Sequence, residues 1–411
     1  MQYGCIGEHL KHSFSTEIHN ALGDYPFELK EIPRDNIDAF MQARAFNAIT
    51  VTIPYKQAVI PHLYYIHDIA KEIGAVNTVV NKDGKLYGYN TDFGGMVALI
   101  ERAGISLADK KVLILGTGGT CRTAKAVAKH LGAAAIYTVG RHAGKGDLTY
   151  SQAVTHADTD ILINTTPCGM FGNAAGMAID PALFPNLSGV VDVVYNPLRT
   201  PLVLAARRCG IPAVCGLYML VMQAVLASAL FFDKTYDPAV AENVYRKIKA
   251  EKENIVLTGM PSCGKSTVGK LLAEKLGRPF LDIDTEIEKT AGATPAAIIA
   301  AKGEAAFRDI ETAVIREIST KNGAIIATGG GAVLREENID NLRSNGKLFF
   351  LNRALDLLTP TSDRPLSSDR ATLQKRFAER YDLYCATADA VIDGNGTPDA
   401  VATAVERSFF A

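Results

Sequence analysis

Gly259-Met260-Pro261-Ser262-Cys263-Gly264-Lys265-Ser266-Thr267 matches the pattern GxxxxGK[ST]. It follows Ile255-Val256-Leu257-Thr258, which reads as a buried strand, and precedes a helical pattern over Thr267–Leu276. Strand, glycine turn and helix in that order form a phosphate cradle, because bare backbone N–H groups at a helix N-terminus wrap phosphate oxygens. In this reading Lys265 reaches the β- and γ-phosphates of a nucleotide and Ser266 ligates Mg²⁺. A second stretch, Gly116-Thr117-Gly118-Gly119-Thr120, stands after the apolar run Val112-Leu113-Ile114-Leu115 and before a helical pattern over Thr120–Leu131. That is the arrangement of a dinucleotide pyrophosphate loop.

Outward from these loops, short apolar runs alternate with helical patterns. The runs Tyr3–Gly7, Phe27–Ile32, Ala48–Ile53 and Val76–Asn81 read as strands of a first layer. Continuous apolar strands alternating with helices imply parallel sheets covered on both faces. The expected fold is therefore α/β throughout. Residues 1–95 plus 200–235 form an α/β substrate domain, 96–199 a Rossmann-type dinucleotide domain, and 254–411 a P-loop three-layer α/β/α domain. The charged run in 236–253 reads as a helical linker. A length of 411 residues agrees, since ~150 residues per domain predicts two or three cores.

Composition narrows the function. With 48 % apolar and 21 % charged residues the chain is a packed protein, so global disorder is excluded. Lys+Arg number 43 against 44 Asp+Glu, a net charge of −1 that argues against a general nucleic-acid binder. The seven cysteines include no CxxC, which excludes a disulfide scaffold or zinc ribbon and favours a reducing cytosol, hence a cytoplasmic enzyme. The start shows no basic region followed by an apolar stretch, so no signal peptide is expected. Leu217–Phe232 is apolar but too short for a membrane span and carries Gln223, so a buried helix is expected. No membrane or nucleic-acid partner is expected, and the sequence does not fix an oligomeric partner. The eight histidines form no metal-ligand spacing.

Several side chains carry chemistry. Asp282 and Asp284 flank Ile283 at the end of the second strand of the last domain, and strand alternation would put both on one side of the crevice. One could hold metal-bound water and the other a hydroxyl; Asp284 also suits a helix N-cap. Arg308 offers two parallel donors for a carboxylate, or pairs with Glu311. Gly329-Gly330-Gly331 lets bare backbone approach a ligand, and Arg364-Pro365-Leu366 suits a mobile lid. In the dinucleotide domain the next strand ends in Gly140-Arg141-His142. An NAD-specific fold would carry an acid there; a cation suits a 2′-phosphate, so NADP is preferred. Hydride addition to a carbonyl also needs a proton donor. Lys56 and Asp92 are candidates, although their spacing does not show that they meet.

Residues 1 to about 235 resemble the shikimate dehydrogenase family through HSFS with IHN, TVTIPYK, GAVNT, GYNTD, GTGGTCR, NTTPCGM, DVVYNPLRTPL and GLYMLVMQA, in that order. The resemblance implies shikimate contacts at Ser13, Ser15, Thr52, Asn77, Asp92 and Gln223, with Lys56 and Asp92 as the catalytic pair and Tyr195 at the substrate's border. It places NADP(H) beside Gly116, Thr117, Gly118, Gly119, Thr120, Arg141, Thr165 and Gly216. Residues from about 253 to 411 resemble shikimate kinase through GMPSCGKST, FLDID, FRDIE, GGGAV, DRPL and ERYDLYCATAD. This implies shikimate contacts at Asp284, Arg308, Gly330 and Arg380, the two arginines clamping the carboxylate. ATP would meet Ser262, Cys263, Gly264, Lys265, Ser266, Thr267 and Arg364, with Mg²⁺ at Ser266 and Asp282 and catalysis at Lys265 and Asp284. The joint implication is a bifunctional enzyme. It would reduce 3-dehydroshikimate to shikimate with NADPH and phosphorylate shikimate at its 3-hydroxyl with MgATP. The rival readings are an NAD-dependent quinate dehydrogenase fused to another small-molecule kinase, and a silent shikimate- or NADP-binding regulator. Two departures from the dehydrogenase pattern stand out. Cys121 occupies the third glycine position of the dinucleotide loop, and the short stretch Arg141–Asp160 predicts an abbreviated helix.

Overall fold

The computed structural model describes residues 1–10, 13–23, 25–173, 176–358 and 370–411. They fall into two compact units, Met1–Lys249 and Ala250–Ala411.

The first unit holds two six-stranded sheets. One is mixed. Tyr3–Gly7 pairs in parallel with Phe27–Glu31 and Ala48–Val51, and Ala48–Val51 pairs antiparallel with Thr78–Lys82. The other is wholly parallel, with Lys111–Leu115 between Ile161–Asn164 and Ala135–Gly140. Alternation along Lys111–Leu115 sends Val112 and Ile114 into one core, Leu113 and Leu115 into another. A strand buried on both faces must be apolar at every position, which is why this run shows no polar alternation.

The helix Leu217–Phe232 is buried through Leu217, Met219, Val221, Gln223 and Val225, among others, as its composition requires. It lies against the helix Thr91–Arg102. At Gly95 a side chain would fall 2.7 Å from the Met219 carbonyl, so the two backbones approach only because that residue is glycine. Among the described residues no helix is long and apolar enough to cross a membrane.

The stretch expected as a charged helical linker is largely a helix, Pro238–Lys252, but one packed on the first unit's core rather than solvated. Ala241, Val244 and Ile248 bury a stripe in the core formed with Ile18, Val221 and Val225. The stripe follows helical spacing and is hidden among charges on the other face. Arg102 ties this helix down with two bonds to Glu242, 2.9 and 3.1 Å long, while Tyr218 and Tyr245 lie against its guanidinium.

The second unit has one parallel five-stranded sheet. Its order is Phe280–Asp282, Ile325–Ala327, Asn254–Thr258, Gly346–Asn352 and Ala390–Asp393. The first strand in sequence, Asn254–Thr258, sits at the centre, with its partners reached by crossovers to either side. Ligands in such sheets bind beyond the strand ends where the winding reverses. The second strand stops at Asp282 and a helix, Ile283–Ala291, begins at once.

Candidate active sites

Lys56 and Asp92 meet: Nζ lies 2.5 Å from Oδ2. Lys56 follows the strand Ala48–Val51, and Asp92 stands in the first turn of the helix Thr91–Arg102. Asn90, not Asp92, caps that helix by accepting from the Phe93 N–H, so the Asp92 carboxylate is left for Lys56. Beside the pair runs a buried network of neutral groups. Asn77 Oδ1 accepts from the Thr91 N–H at 2.7 Å, and Asn77 Nδ2 donates to Thr91 Oγ1 at 3.0 Å. Gln223 Oε1 stands 3.5 Å from the same hydroxyl. Thr91 therefore joins two expected substrate contacts, Asn77 and Gln223, to the turn that carries Asp92. Thr91 lies in the GYNTD block, but the sequence assigned it no role. Cys5 is the other addition: burial pushes its thiol up to about 11, with Thr50, Lys56 and Asp92 as its electrostatic neighbours. Tyr195, raised to about 12 by burial, has Cys5 and Glu17 near it and packs edge-on against Phe14. Ser13 and Ser15 form their own pair, with the Ser13 hydroxyl donating to Ser15 at 2.9 Å. Thr52 sits against Gly7, where a Cβ would fall 2.7 Å from its methyl.

The dinucleotide loop is built for close approach. Gly116 has φ +111°, and a side chain there would strike Thr165 Oγ1 at 2.7 Å. Thr165 in turn donates to the Leu115 carbonyl at 2.7 Å, which fixes it beside the loop. Gly118 caps the helix Gly119–His130, and both glycines face open space. Thr117 and Thr120 flank them. Gly216 is forced to be glycine, since a Cβ would fall 2.1 Å from the Val193 carbonyl. Arg141 is exposed just beyond Gly140. Open N–H groups at a helix start, with a cation beyond the neighbouring strand, fit a phosphorylated dinucleotide. The abbreviated helix is present as Tyr150–Ala153, closed by a capping box between Thr149 and Gln152.

In the second unit the phosphate loop encloses a cavity of about 210 Å³ lined by Ser262, Gly264, Lys265, Ser266 and Thr267, together with Asp282 and Asp284. Lys265 is buried and its ammonium donates to the carbonyls of Gly259 and Met260, both at 2.9 Å. Cys263 is buried beneath the loop, its sulfur 3.7 Å from the same ammonium. Ser266 Oγ donates to Asp282 Oδ2 at 2.6 Å, so hydroxyl and carboxylate stand together as an oxygen pair suited to Mg²⁺. Asp282 also caps the helix Ile283–Ala291, accepting from the Asp284 N–H. Two expectations change here. The cap is Asp282 rather than Asp284, and Asp284 reaches the cavity from a helical turn rather than by strand alternation. The reason is that the backbone turns helical at Ile283.

A second cavity, of about 580 Å³, shares Asp282, Asp284, Gly329 and Gly330 with the first. Arg308, Arg376, Arg380 and Glu311 line its far part. Arg308 is both a lining group and a paired one, since its guanidinium donates to Glu311 at 2.6 Å and Glu304 at 2.9 Å. It lies flat on Gly331, where a Cβ would fall 2.2 Å from Nη2. Burial raises the Glu311 carboxyl, opposed by the adjacent Arg308 charge. Arg380 is buried and donates from Nη1 to the Gly330 carbonyl at 3.0 Å, while its Nε has no hydrogen-bond partner among the described residues. An orphaned buried donor beside a cavity suits a ligand carboxylate. Burial and the nearby Arg380 charge lower Arg376. Arg376 was missed from sequence, yet it stands one helical turn before Arg380 and so on the same face. Arg364 lies outside the described residues. Among those residues no cluster of three or more His, Cys, Asp or Glu forms a metal site.

A dinucleotide loop in the same unit as a Lys–carboxylate pair, and a phosphate loop beside an arginine-lined cavity, define an oxidoreductase joined to a small-molecule kinase. The family described as shikimate dehydrogenase substrate binding domain matches residues 5–79, and the shikimate kinase family matches residues 261–409. A shikimate dehydrogenase (NADP(+)) of Clostridium perfringens is 36 % identical over 265 residues, covering 60 % of this chain and 98 % of that protein. A chorismate mutase/shikimate 5-dehydrogenase fusion protein from Clostridium acetobutylicum has a similar structure, with TM-score 0.57, 30 % identity, and coverage of 60 % of this chain and 96 % of that one. Shikimate 5-dehydrogenase from Thermus thermophilus, solved in complex with NADP(H) and shikimate, gives TM-score 0.55 at 28 % identity, covering 60 % of this chain and 99 % of that one. The chain belongs to the shikimate dehydrogenase family and carries a shikimate kinase domain at its C-terminal end, which makes it a bifunctional enzyme of the shikimate pathway. The two family assignments bring NADP(H) to the first unit and ATP, with the Mg²⁺ typical of such kinases, to the second.

Proposed function

We propose that the first unit reduces 3-dehydroshikimate to shikimate with NADPH and that the second phosphorylates shikimate at its 3-hydroxyl with MgATP. Residues 1–95 with 200–235 would bind the reductase substrate, 96–199 the dinucleotide, and 254–411 would carry the kinase. The observation that carries the reading is the Lys56–Asp92 pair at 2.5 Å. An ammonium held by a carboxylate can give a proton to a carbonyl oxygen and recover it through its partner, with the two groups titrating as a unit. NADPH supplies the hydride. Asn77 and Gln223 orient the ring hydroxyls, with Ser13, Ser15 and Thr52 as further hydrogen-bonding groups and Tyr195 at the border. Gly116 to Thr120, Thr165 and Gly216 cradle the dinucleotide, and Arg141 meets its 2′-phosphate.

In the kinase the nucleotide brings the phosphoryl group, and Mg²⁺ neutralises its charge. Lys265 exchanges the carbonyls of Gly259 and Met260 for phosphate oxygens held by the backbone of Ser262 to Thr267. Ser266 and Asp282 would hold the metal. Asp284 stands where the two cavities meet and accepts the proton of the attacking hydroxyl. Arg308 and Arg380 clamp the substrate carboxylate beside Gly330. Phosphoryl transfer needs mainly such positioning and charge neutralisation. The seven free cysteines fit a reducing, cytoplasmic setting.

A coupled assay tests the reading directly. The purified chain receives 3-dehydroshikimate, NADPH and MgATP. NADPH oxidation followed by shikimate 3-phosphate is expected, and its absence sinks the two-step function.

A further inference from the structure

The strand Ala135–Gly140 pairs in parallel with the short strand Leu148–Thr149. Only residues 141–147 connect them, where a parallel crossover ordinarily needs a dozen residues or more. Such a short return must be held shut, and the structure shows how. Asp147 Oδ2 accepts from both the N–H and the hydroxyl of Thr138, each at 2.8 Å. The Asp147 N–H donates back to Thr138 Oγ1 at 3.2 Å. Inside this clasp the Lys145 N–H donates to the His142 carbonyl at 3.1 Å. Gly146 is pressed against the end of the strand. A Cβ there would fall 2.9 Å from the Gly140 nitrogen and 3.3 Å from the Thr117 methyl of the dinucleotide loop. The clasped loop therefore abuts the loop that would hold the pyrophosphate, and it begins with Arg141.

The position of the carboxylate matters as much as the closure. A free acid beyond this strand would accept ribose hydroxyls and repel a 2′-phosphate. Here the acid is turned back onto Thr138. The two donated hydrogen bonds, with the Lys125 charge nearby, hold its pKa below the usual carboxylate range. Its Oδ2 is engaged by Thr138 within the protein, and Arg141, at the start of the same loop, is exposed.

We propose that the Thr138–Asp147 clasp is a cofactor-specificity device: it closes residues 141–146 so that Arg141 is presented to the 2′-phosphate of NADP(H). Asp147 is thus a positioning residue that acts through Arg141 without touching the phosphate. This rests on the reading of Arg141 as the 2′-phosphate contact.

The test is cofactor titration of the full chain with NADPH and NADH, monitored by fluorescence, alongside steady-state kinetics. Wild type binds NADPH more tightly than NADH; equal affinities overturn the underlying cofactor reading. Given that preference, Asp147→Ala weakens NADPH binding about three- to tenfold, as expected for losing a hydrogen-bonded closure, and changes NADH binding less than about twofold. KM for NADPH rises while kcat at saturation holds. Asp147→Asn, which keeps an acceptor for the Thr138 N–H, recovers most of the loss. In an Arg141→Ala background, Asp147→Ala adds little. Equal weakening of both cofactors, or full additivity with Arg141→Ala, overturns the proposal and leaves Asp147 a merely structural residue.

Discussion

Around Lys56 the polar groups are mostly neutral, whereas around Arg308 they are mostly charged. The first centre has one ion pair, Lys56–Asp92, beside the amides and hydroxyl of Asn77, Gln223 and Thr91. The second gathers Asp284, Arg308, Glu311, Arg376 and Arg380 around one cavity. In the proposed sequence both hold the same small polyol acid. The difference follows from the chemistry. Carbonyl reduction passes one proton and one hydride, so one proton relay suffices and the rest of the pocket needs only to orient hydroxyls. Phosphoryl transfer brings several negative charges together, so that pocket must supply opposing charge at fixed positions.

The sharpest break would come from exchanging the two activities. Lys56→Ala is expected to lower reductase kcat by about 10²–10⁴-fold while leaving the kinase active on added shikimate. Lys265→Ala is expected to do the converse by a comparable factor. If either change silenced both reactions, the two centres would not be independent. A smaller effect separates the modes of recognition. Arg380→Ala, which removes a buried charged donor, is expected to raise the kinase KM for shikimate about 30- to 100-fold. Gln223→Ala, which removes a neutral one, is expected to raise the reductase KM only about three- to tenfold. Equal effects would erase the contrast between charged and neutral pockets.

Acid should distinguish the units too. His19 in the first unit is wholly buried, stacked on Phe27 at 3.7 Å with Nδ1 2.6 Å from the Tyr25 hydroxyl. Burial lowers its pKa to about 3, so it stays neutral in the folded chain while an unfolded chain protonates it near pH 6.5. The stability it supports is present above about 6.5 and is lost as pH falls toward 3, on the order of 2 kcal/mol by pH 5. In urea titrations the midpoint for reductase loss should fall between pH 7 and pH 5. His19→Phe, which keeps the stacked ring and removes the titration, should flatten that slope. An unchanged slope would show that His19 does not set the acid response.

Much of this architecture was legible because it rests on local rules. The apolar runs marked the buried strands, and Leu217–Phe232 declared its helix by composition. The glycine loops stand where strand, turn and helix required them. What escaped depends on three-dimensional placement. Lys56 and Asp92 are 36 residues apart, and nothing in that interval says that one loop and one helix start converge. Thr91 lies inside the GYNTD block without a role assigned to it, Cys5 lies in no quoted motif, and both matter only through their neighbours. Asp284 was assigned by strand alternation, a rule that lapses when the backbone turns helical at Ile283. The stripe Ala241, Val244 and Ile248 was obscured by the charges around it. Glu304, a partner of Arg308, stands one turn before it, but Gly303 with φ 83° and ψ 166° interrupts the helix there.

The least disruptive challenge to the contrast between centres uses salt alone. An attraction between ions weakens as the Debye length shrinks from roughly 10 Å at 0.1 M to about 3 Å at 1 M, whereas hydrogen bonds between neutral groups are nearly indifferent. Substrate carboxylate approaching Arg308 and Arg380 must feel this screening on its way in, even though the arginines themselves are buried. The acids paired with Arg308, Glu304 and Glu311, moderate the effect by cancelling part of the field. The kinase KM for shikimate is therefore expected to rise about two- to fourfold between roughly 0.05 and 0.5 M KCl with MgATP saturating. The reductase KM for 3-dehydroshikimate, with NADPH saturating, is expected to move less than about 1.5-fold, because hydroxyls and amides orient its substrate and the one cation at the site, Lys56, is already paired with Asp92. A reductase KM that rose as steeply as the kinase's would mean that a cation also grips the acid in the first unit. Lys56 would be the group to test, through the same salt series in Lys56→Gln binding titrations.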